Sequence, residues 1–214
     1  MKSIIANIFF IFLLQACKSN QDSLAAQYNT RLGLAYLSQG DTAIAKSKLF
    51  RAFSQQPQAA NVNSALAYFM EISGDITRAD NFYRRAIKYS KNRGLDFNNY
   101  AAFLCRQSNY QKANRYFMLA VNDVHYANTA EVYANAGHCN LFAKQEQTAV
   151  NFFEQSLLKD SKLKDSLFAL VRIYLHNNDI RKVCELLKKY AIAASSDVNL
   201  VDIAHIFCLF LVVN

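Results

Sequence analysis

The feature that most constrains this chain is an internal repeat of 34 residues. Gly40-Asp41 recurs as Gly74-Asp75, and Ala45 recurs as Ala79 and then as Ala113. A two-residue insertion follows the third copy, and two further copies come after it, the last of them weaker. A chain that repeats at such a spacing builds its core by stacking similar units on one another.

The period and the repeated residues resemble those of tetratricopeptide (TPR) proteins. A TPR unit is a pair of antiparallel helices with small residues where the two helices cross. The small residues expected at these crossings are Gly33 with Ala45, Ala67 with Ala79, Ala101 with Ala113, and Gly137 with Ala149. Large residues expected between neighbouring units are Tyr36, Tyr83, Phe117 and Phe153. The turns are predicted at Gly40-Asp41, Gly74-Asp75, Ser108-Asn109 and Asn178-Asp179, and Pro57 is expected to end the first repeat's second helix.

The fold class predicted for these 214 residues is all-α, a TPR superhelix of about five helical hairpins plus a partial sixth. The predicted array covers residues 26–197, and a terminal partial repeat covers 198–214. The predicted units are 26–59, 60–93, 94–127, 130–163 and 164–197. An unrelated helical bundle is the alternative, but chance would not place so many small residues in one register.

The N-terminus predicts export and a lipid anchor. Lys2 is followed by a short apolar stretch, which is typical of a secretory signal peptide over residues 1–16. Leu14-Gln15-Ala16-Cys17 resembles the lipobox of bacterial lipoproteins, which implies acylation of Cys17 and a tether over residues 17–25. The alternative is an ordinary signal peptide with an incidental cysteine. Lys18 follows the cysteine, and by the same resemblance this implies an outer-membrane address on the periplasmic face.

Composition and motifs favour a binding protein over an enzyme. The net charge of +8 is spread along the chain, which gives no support to nucleic-acid binding. The sequence contains no zinc-protease, phosphate-loop or nucleophile-elbow motif. His138 and Cys139 are adjacent and point about 100° apart on a helix, so they cannot serve one centre. We therefore expect no catalytic site, no metal, no cofactor and no small-molecule substrate.

The residues expected to bind a partner protein lie on the first helix of each repeat. In TPR arrays, positions 2, 5, 9, 12 and 13 of that helix face a concave groove. In this chain the candidates are Tyr68, Glu71, Asn98, Arg106, His138, Phe142, Phe168, Arg172 and His176. The set combines aromatic, amide and basic groups, which suits an extended peptide or a helix. Taken singly, most of them are equally compatible with an ordinary solvated or packed side chain.

Four cysteines remain after Cys17, in a compartment where disulfides persist. Cys105 and Cys139 are 34 residues apart on the first helices of adjoining repeats, and a bridge would join the third repeat to the fourth. Two buried free thiols are the alternative, because the insertion shifts their helical positions. Cys184 and Cys208 are expected to be packed free thiols.

The third and fourth repeats resemble the lipoproteins of type IV pilus biogenesis called pilotins, the PilF or PilW family. The matching residues are Asn98-Asn99-Tyr100, Phe103-Leu104-Cys105, the linker around Tyr126, and Asn135-Ala136-Gly137-His138-Cys139. The resemblance implies that Cys105 and Cys139 are the paired cysteines of that family. It also implies a scaffold that binds the pilus secretin and promotes its localisation and multimerisation, or that stabilises pili. A general TPR adaptor for other envelope-assembly proteins is the alternative.

The chain departs from this family at its C-terminus. From Ile203 to Val213 it is almost entirely apolar, whereas the family usually ends in an amphipathic helix. Either a shortened reading frame or an apolar end packed on the fifth repeat would explain the difference.

Overall fold

The computed structural model describes residues 21–208, which form helices joined by short turns and contain no β-strand. The helices are α1 (described from residue 21 to residue 38), α2 (Thr42–Gln55), α3 (Ala60–Ile72), α4 (Ile76–Tyr89), α5 (Arg93–Arg106), α6 (Tyr110–Val121), α7 (Thr129–Phe142), α8 (Glu146–Lys159), α9 (Lys164–His176), α10 (Ile180–Lys189), α11 (Ala191–Ser195) and α12 (Val198–Cys208). The all-α prediction is confirmed. The predicted signal peptide, Cys17 and residues 209–214 lie outside the described residues.

The first ten helices form five successive hairpins, as the 34-residue period predicts. The later hairpins begin at Ala60, Arg93, Thr129 and Lys164, within one residue of the predicted repeat starts. The TPR prediction is therefore confirmed. Residues 21–25, which are part of the predicted tether over residues 17–25, are helical and belong to α1.

The chain divides into two compact units, the first ending at Lys91 and the second beginning at Asn92. Helices α1 to α4 belong to the first unit, and α5 to α12 belong to the second. No helix between residues 21 and 208 is both long enough and apolar enough to cross a membrane.

The turns inside the hairpins lie where the sequence predicts them. Gly40 has φ of 85° and Gly74 has φ of 79°, and these left-handed values favour glycine because it has no Cβ. Ser108 and Asn178 occupy the same place in later hairpins, with φ of 58° and 56°. In the fourth hairpin the left-handed residue is Lys144, with φ of 57°, at a turn that was not predicted.

Aspartates begin two of the second helices. The Asp75 carboxylate accepts the backbone N–H of Arg78 at 3.0 Å, and the Asp179 carboxylate accepts that of Lys182 at 3.1 Å. These are N-caps, which satisfy amides that have no partner inside the helix. In both cases the donated backbone hydrogen bond is the largest influence lowering the carboxyl pKa below its usual range.

The hairpin crossings depend on small residues at both predicted glycines. A Cβ on Gly33 would lie 2.6 Å from Leu49 Cγ, and a Cβ on Gly137 would lie 2.6 Å from Phe153 Cε1. Both partner side chains are fully buried, so neither has free space to move into. The alanines predicted at the other crossings are fully buried as well: Ala45, Ala67, Ala79, Ala101, Ala113 and Ala149.

In the first unit, Arg85 joins the turn after α2 to the second hairpin. Its guanidinium donates from Nε to Asn63 Oδ1 at 2.9 Å and from Nη2 to the carbonyl of Pro57 at 3.1 Å. Its Cζ also lies 5.1 Å from the ring centroid of Phe53 and 5.8 Å from that of Phe82. This one side chain therefore contacts a loop, a helix and three rings, the third being Tyr89 at 5.9 Å, because a planar guanidinium can stack and donate at once.

The second unit contains two disulfides. Cys105 of α5 is bonded to Cys139 of α7, with Cα atoms 5.7 Å apart, which confirms the predicted bridge. Cys184 of α10 is bonded to Cys208 of α12, so the expectation of free thiols at these positions is wrong. The physical reason is that the short α11 turns the chain back, which brings α12 onto α10 and the two Cα atoms to 5.5 Å.

Candidate protein-binding cleft

The structure places the predicted binding residues in both units. Tyr68 and Glu71 lie on α3 in the first unit, where Tyr68 is exposed and the Glu71 carboxylate accepts the hydroxyl of Tyr83 at 3.0 Å. In the second unit, Asn98 is buried and its Oδ1 accepts the Nδ2 of Asn135 at 3.1 Å, so it fastens α5 to α7.

Four of the predicted residues come together in the second unit. His138 of α7 and Phe168, Arg172 and His176 of α9 line one cleft of about 500 Å³. The three residues of α9 follow one another at intervals of four, which places them along one face of the helix. Arg106 and Phe142 are exposed, and neither lines this cleft.

The bottom of the cleft is apolar. Leu141, Phe168, Ala169 and Ile173 contribute to it, and the last two are almost fully buried. Each of these residues lies on α7 or α9, the first helices of the fourth and fifth hairpins. An apolar surface of this kind can accept an aliphatic or aromatic side chain of a ligand.

The ionic groups around this apolar surface are partly paired with each other. His138 Nε2 and Asp165 Oδ2 are 2.7 Å apart, and the His138 ring packs edge-on to Phe153 with centroids 4.9 Å apart. On the other side, Glu146 Oε1 accepts the Nδ2 of Asn177 at 2.7 Å. The carboxylates of Asp165 and Glu146 are therefore held in place by these contacts at two points of the rim of the cleft.

Arg172 is the cation of the cleft that has no acidic partner within residues 21–208. Its Cζ lies 5.9 Å from the centroid of the Phe168 ring, and the side chain is exposed. Stacking of this kind leaves the N–H groups at the guanidinium edge available to a carboxylate or a peptide carbonyl.

Asp165, Glu146 and Leu141 also line this cleft, although they are not among the predicted binding residues. Asp165 is position 2 of the fifth repeat's first helix, so the rule that gave Phe168 and Arg172 also points to it. Glu146 begins a second helix, where the groove rule does not apply, and only the structure identifies it. Among residues 21–208, no group of three His, Cys, Asp or Glu side chains is arranged to hold a metal ion.

Comparison with known proteins gives two relatives in sequence. No protein-family model matches the sequence. An uncharacterized protein of Haemophilus influenzae is 30% identical over 157 residues, which cover 71% of this chain and 86% of that protein. The type IV pilus assembly protein PilF of Pseudomonas aeruginosa is 33% identical over 127 residues, which cover 59% of this chain and 50% of PilF. The sequence match thus spans half the length of PilF.

Two solved structures have the same arrangement of helical hairpins. A structure of Pseudomonas aeruginosa PilF superposes with a TM-score of 0.70 at 24% identity, over 87% of this chain and 86% of that one. The structure of PilW, described as a widely conserved type IV pilus biogenesis factor, superposes with a TM-score of 0.67 at 21% identity, over 84% of each chain. These similarities establish a shared TPR fold.

Proposed function

We propose that this chain, a member of the family of TPR proteins of type IV pilus biogenesis that includes PilF and PilW, is a lipid-anchored scaffold for assembly of the pilus secretin. In this proposal it binds the secretin subunit and promotes its localisation and multimerisation, or stabilises the pilus. Its role is to hold a partner protein, without catalysis.

The cleft between α7 and α9 is the observation that carries a binding role for this chain. It combines an apolar surface with Arg172, whose guanidinium has no acidic partner in the described residues. Protein-binding sites commonly pair an apolar centre with an arginine that is free to reach a partner. The cleft is therefore our candidate for contact with a segment of the secretin.

The lipid anchor is proposed from the sequence. Cys17 follows Leu14-Gln15-Ala16, and acylation there would hold the chain at the outer membrane, facing the periplasm. Two or more acyl chains give stable anchoring, since each buried methylene contributes about 0.8 kcal/mol. Replacing Cys17 with serine should move the protein from the membrane pellet to the soluble fraction, and unchanged sedimentation would contradict lipidation.

The function is tested in the strain that carries the gene, by measuring secretin multimers on native gels. We expect deletion of the gene to abolish the multimers and Arg172→Glu to reduce them severalfold. Arg115→Glu is the matched control, because Arg115 is an exposed arginine of α6 outside the cleft.

The outcomes separate the function from the site. Normal multimers in the deletion strain would refute the secretin role and would favour a general adaptor for other envelope proteins. Loss on deletion with normal multimers in Arg172→Glu would keep the role and would exclude this cleft.

A further inference from the structure

One face of α1 exposes large side chains to solvent. Leu24 is 62% exposed and Tyr28 is 65% exposed, and no large apolar side chain between residues 21 and 91 is more exposed than these two. Arg31 and Ala35 are exposed as well. The four residues follow one another at intervals of four, three and four, which places them along one line of the helix. We call this line the α1 outer face.

The outer face lies opposite the side of α1 that packs on the protein. Ala26 and Leu37 are buried on that other side. The face turned to water on such a helix is normally polar, and one exposed leucine would be ordinary. Here Leu24 is followed one turn later by Tyr28. Asp22 is the single acid between residues 21 and 38, and it lies about 160° around the helix from Leu24. The outer face is therefore apolar at its start and cationic beyond.

The proposed lipid anchor lies close to this end of α1. Three residues separate Cys17 from Gln21, which is the first described residue and is already helical. That length of chain spans at most about 14 Å when it is fully extended. The headgroup region of one leaflet is about 5–8 Å deep. Acylation of Cys17 would therefore hold the first described turn of α1, with Leu24, beside the headgroups.

The chemistry of the outer face matches a phospholipid surface. A leucine can enter the boundary between headgroups and acyl chains, and a tyrosine is favoured there because its ring is apolar and its hydroxyl is polar. Arg31 has no acidic partner among residues 21–208, and a guanidinium can donate two hydrogen bonds to one phosphate. Residues 21–91 carry nine Lys and Arg against five Asp and Glu, which favours an anionic leaflet.

We infer that the α1 outer face rests on the phospholipid surface to which Cys17 is anchored. The inference rests on the proposed lipid anchor, because so small a face binds weakly by itself and the acyl chains supply the high local concentration of lipid. Contact at this face limits how the first unit can turn about its tether. The residues predicted to bind a partner protein are not part of the face, so they stay available.

The sequence contains no tryptophan, which provides a specific probe. Tyr28→Trp introduces a single one at an exposed position. The acylated full chain is reconstituted into vesicles of phosphatidylethanolamine and phosphatidylglycerol. The readouts are the emission wavelength and the quenching by lipids brominated on their acyl chains, which act only on a side chain at the bilayer. Tyr68→Trp is the matched control, because Tyr68 is an exposed tyrosine of α3 in the same unit.

We expect the tryptophan of Tyr28→Trp to emit at a shorter wavelength in vesicles than in the chain that also carries Cys17→Ser, which cannot be acylated. Brominated lipid should quench it at least about twice as much as the tryptophan of Tyr68→Trp. Adding Arg31→Glu should reduce this quenching about twofold, because lipid phosphate repels a carboxylate. Arg51→Glu makes the same change of charge at an exposed arginine of α2 and should leave the quenching nearly unchanged.

Several outcomes would overturn the inference. Equal quenching in Tyr28→Trp and Tyr68→Trp, with the protein still floating with the vesicles, would exclude the contact and keep the anchor. Emission at a short wavelength without quenching by bromine would mean that a protein, either a second copy or another partner, covers the face. Equal effects of Arg31→Glu and Arg51→Glu would reduce the attraction to general charge. Failure to float with the vesicles would contradict the anchor and the inference together, whereas the assay of secretin multimers tests the scaffold role separately.

Discussion

Removal of the Cys105–Cys139 disulfide is expected to destabilise the second unit strongly. The bridge closes a loop between residues 34 apart in sequence, on the first helices of neighbouring hairpins. In the chain-entropy relation, closing a loop of that length stabilises the folded protein by about 3.8 kcal/mol at 25 °C. Both cysteines are buried, so their alanine replacements also remove a little packing.

Single and double variants separate the cross-link from the packing. Cys105→Ala breaks the bond as completely as Cys105→Ala with Cys139→Ala does, so the two proteins should lose nearly the same free energy of unfolding. The double variant should differ from the single by no more than the packing of one small side chain, roughly 1 kcal/mol. Such strong non-additivity is the mark of a shared interaction.

The assay is urea unfolding of the oxidised proteins, followed by far-ultraviolet circular dichroism. The Cys184–Cys208 bridge is the internal comparison, because its 24-residue separation gives about 3.4 kcal/mol in the same relation. If the losses in free energy of unfolding of the two single variants, at Cys105 and at Cys139, add up to the loss of the double variant, the losses come from packing and the cross-link does not stabilise the protein. A total loss below about 1 kcal/mol would refute it equally.

The Asp179 carboxyl pKa lies below its ordinary value of 3.8, so the ionised carboxylate contributes fully to folding stability above that pH, and this contribution is lost as the pH falls through the lowered folded-state pKa. Asparagine at this position keeps the N-cap but does not titrate. The melting temperature of Asp179→Asn should therefore fall less in acid than that of the unmodified protein. Gly137→Val should cost about 2–3 kcal/mol in urea unfolding because the added atoms meet Phe153, and Phe153→Leu in the same chain should recover part of the loss. Arg85→Lys should cost about 1–2 kcal/mol, since lysine cannot stack and make both hydrogen bonds, and an unchanged unfolding midpoint would contradict this.

The helices were predictable because the repeat supplies the same evidence several times. Gly40 and Gly74 mark turns by themselves, since left-handed backbone favours glycine. Lys144 adopts the same conformation with no such indication in its residue type, and only the position of its hairpin in the array points to a turn there.

The Cys184–Cys208 bridge was not predictable from the repeat. Cys105 and Cys139 are 34 residues apart and lie on the first helices of adjoining repeats, although the insertion places them at different positions of those helices. Cys184 and Cys208 are 24 residues apart, which matches no repeat spacing. Their pairing depends on α11, a helix of five residues that reverses the chain after α10. Nothing in the residue types of that stretch fixes the angle at which α12 returns.

The cleft was predictable in part, because the repeat places equivalent residues on the first helix of each hairpin. The groove rule uses one helix of each repeat, so it found His138 on α7 and Phe168, Arg172 and His176 on α9. It could not indicate that Asn98 would be engaged with Asn135, because a side-chain pair between adjacent hairpins depends on their packing.

The residues that carry the family resemblance largely make contacts with one another within the second unit. Asn98 accepts a hydrogen bond from Asn135, and Cys105 forms a disulfide with Cys139. Gly94 packs so closely on Tyr126 of the linker that a Cβ there would overlap the ring. These three contacts join α5 to α7 or to the linker between α6 and α7, where the two-residue insertion occurs.

The insertion breaks the 34-residue register, and at this junction specific side chains join the hairpins in addition to the packing of α6 on α7. The residues that carry the resemblance in this region therefore hold the fold of this chain together, and they do not identify its binding surface. Partner recognition is better sought in side chains that the fold leaves available, such as Arg172 in the cleft.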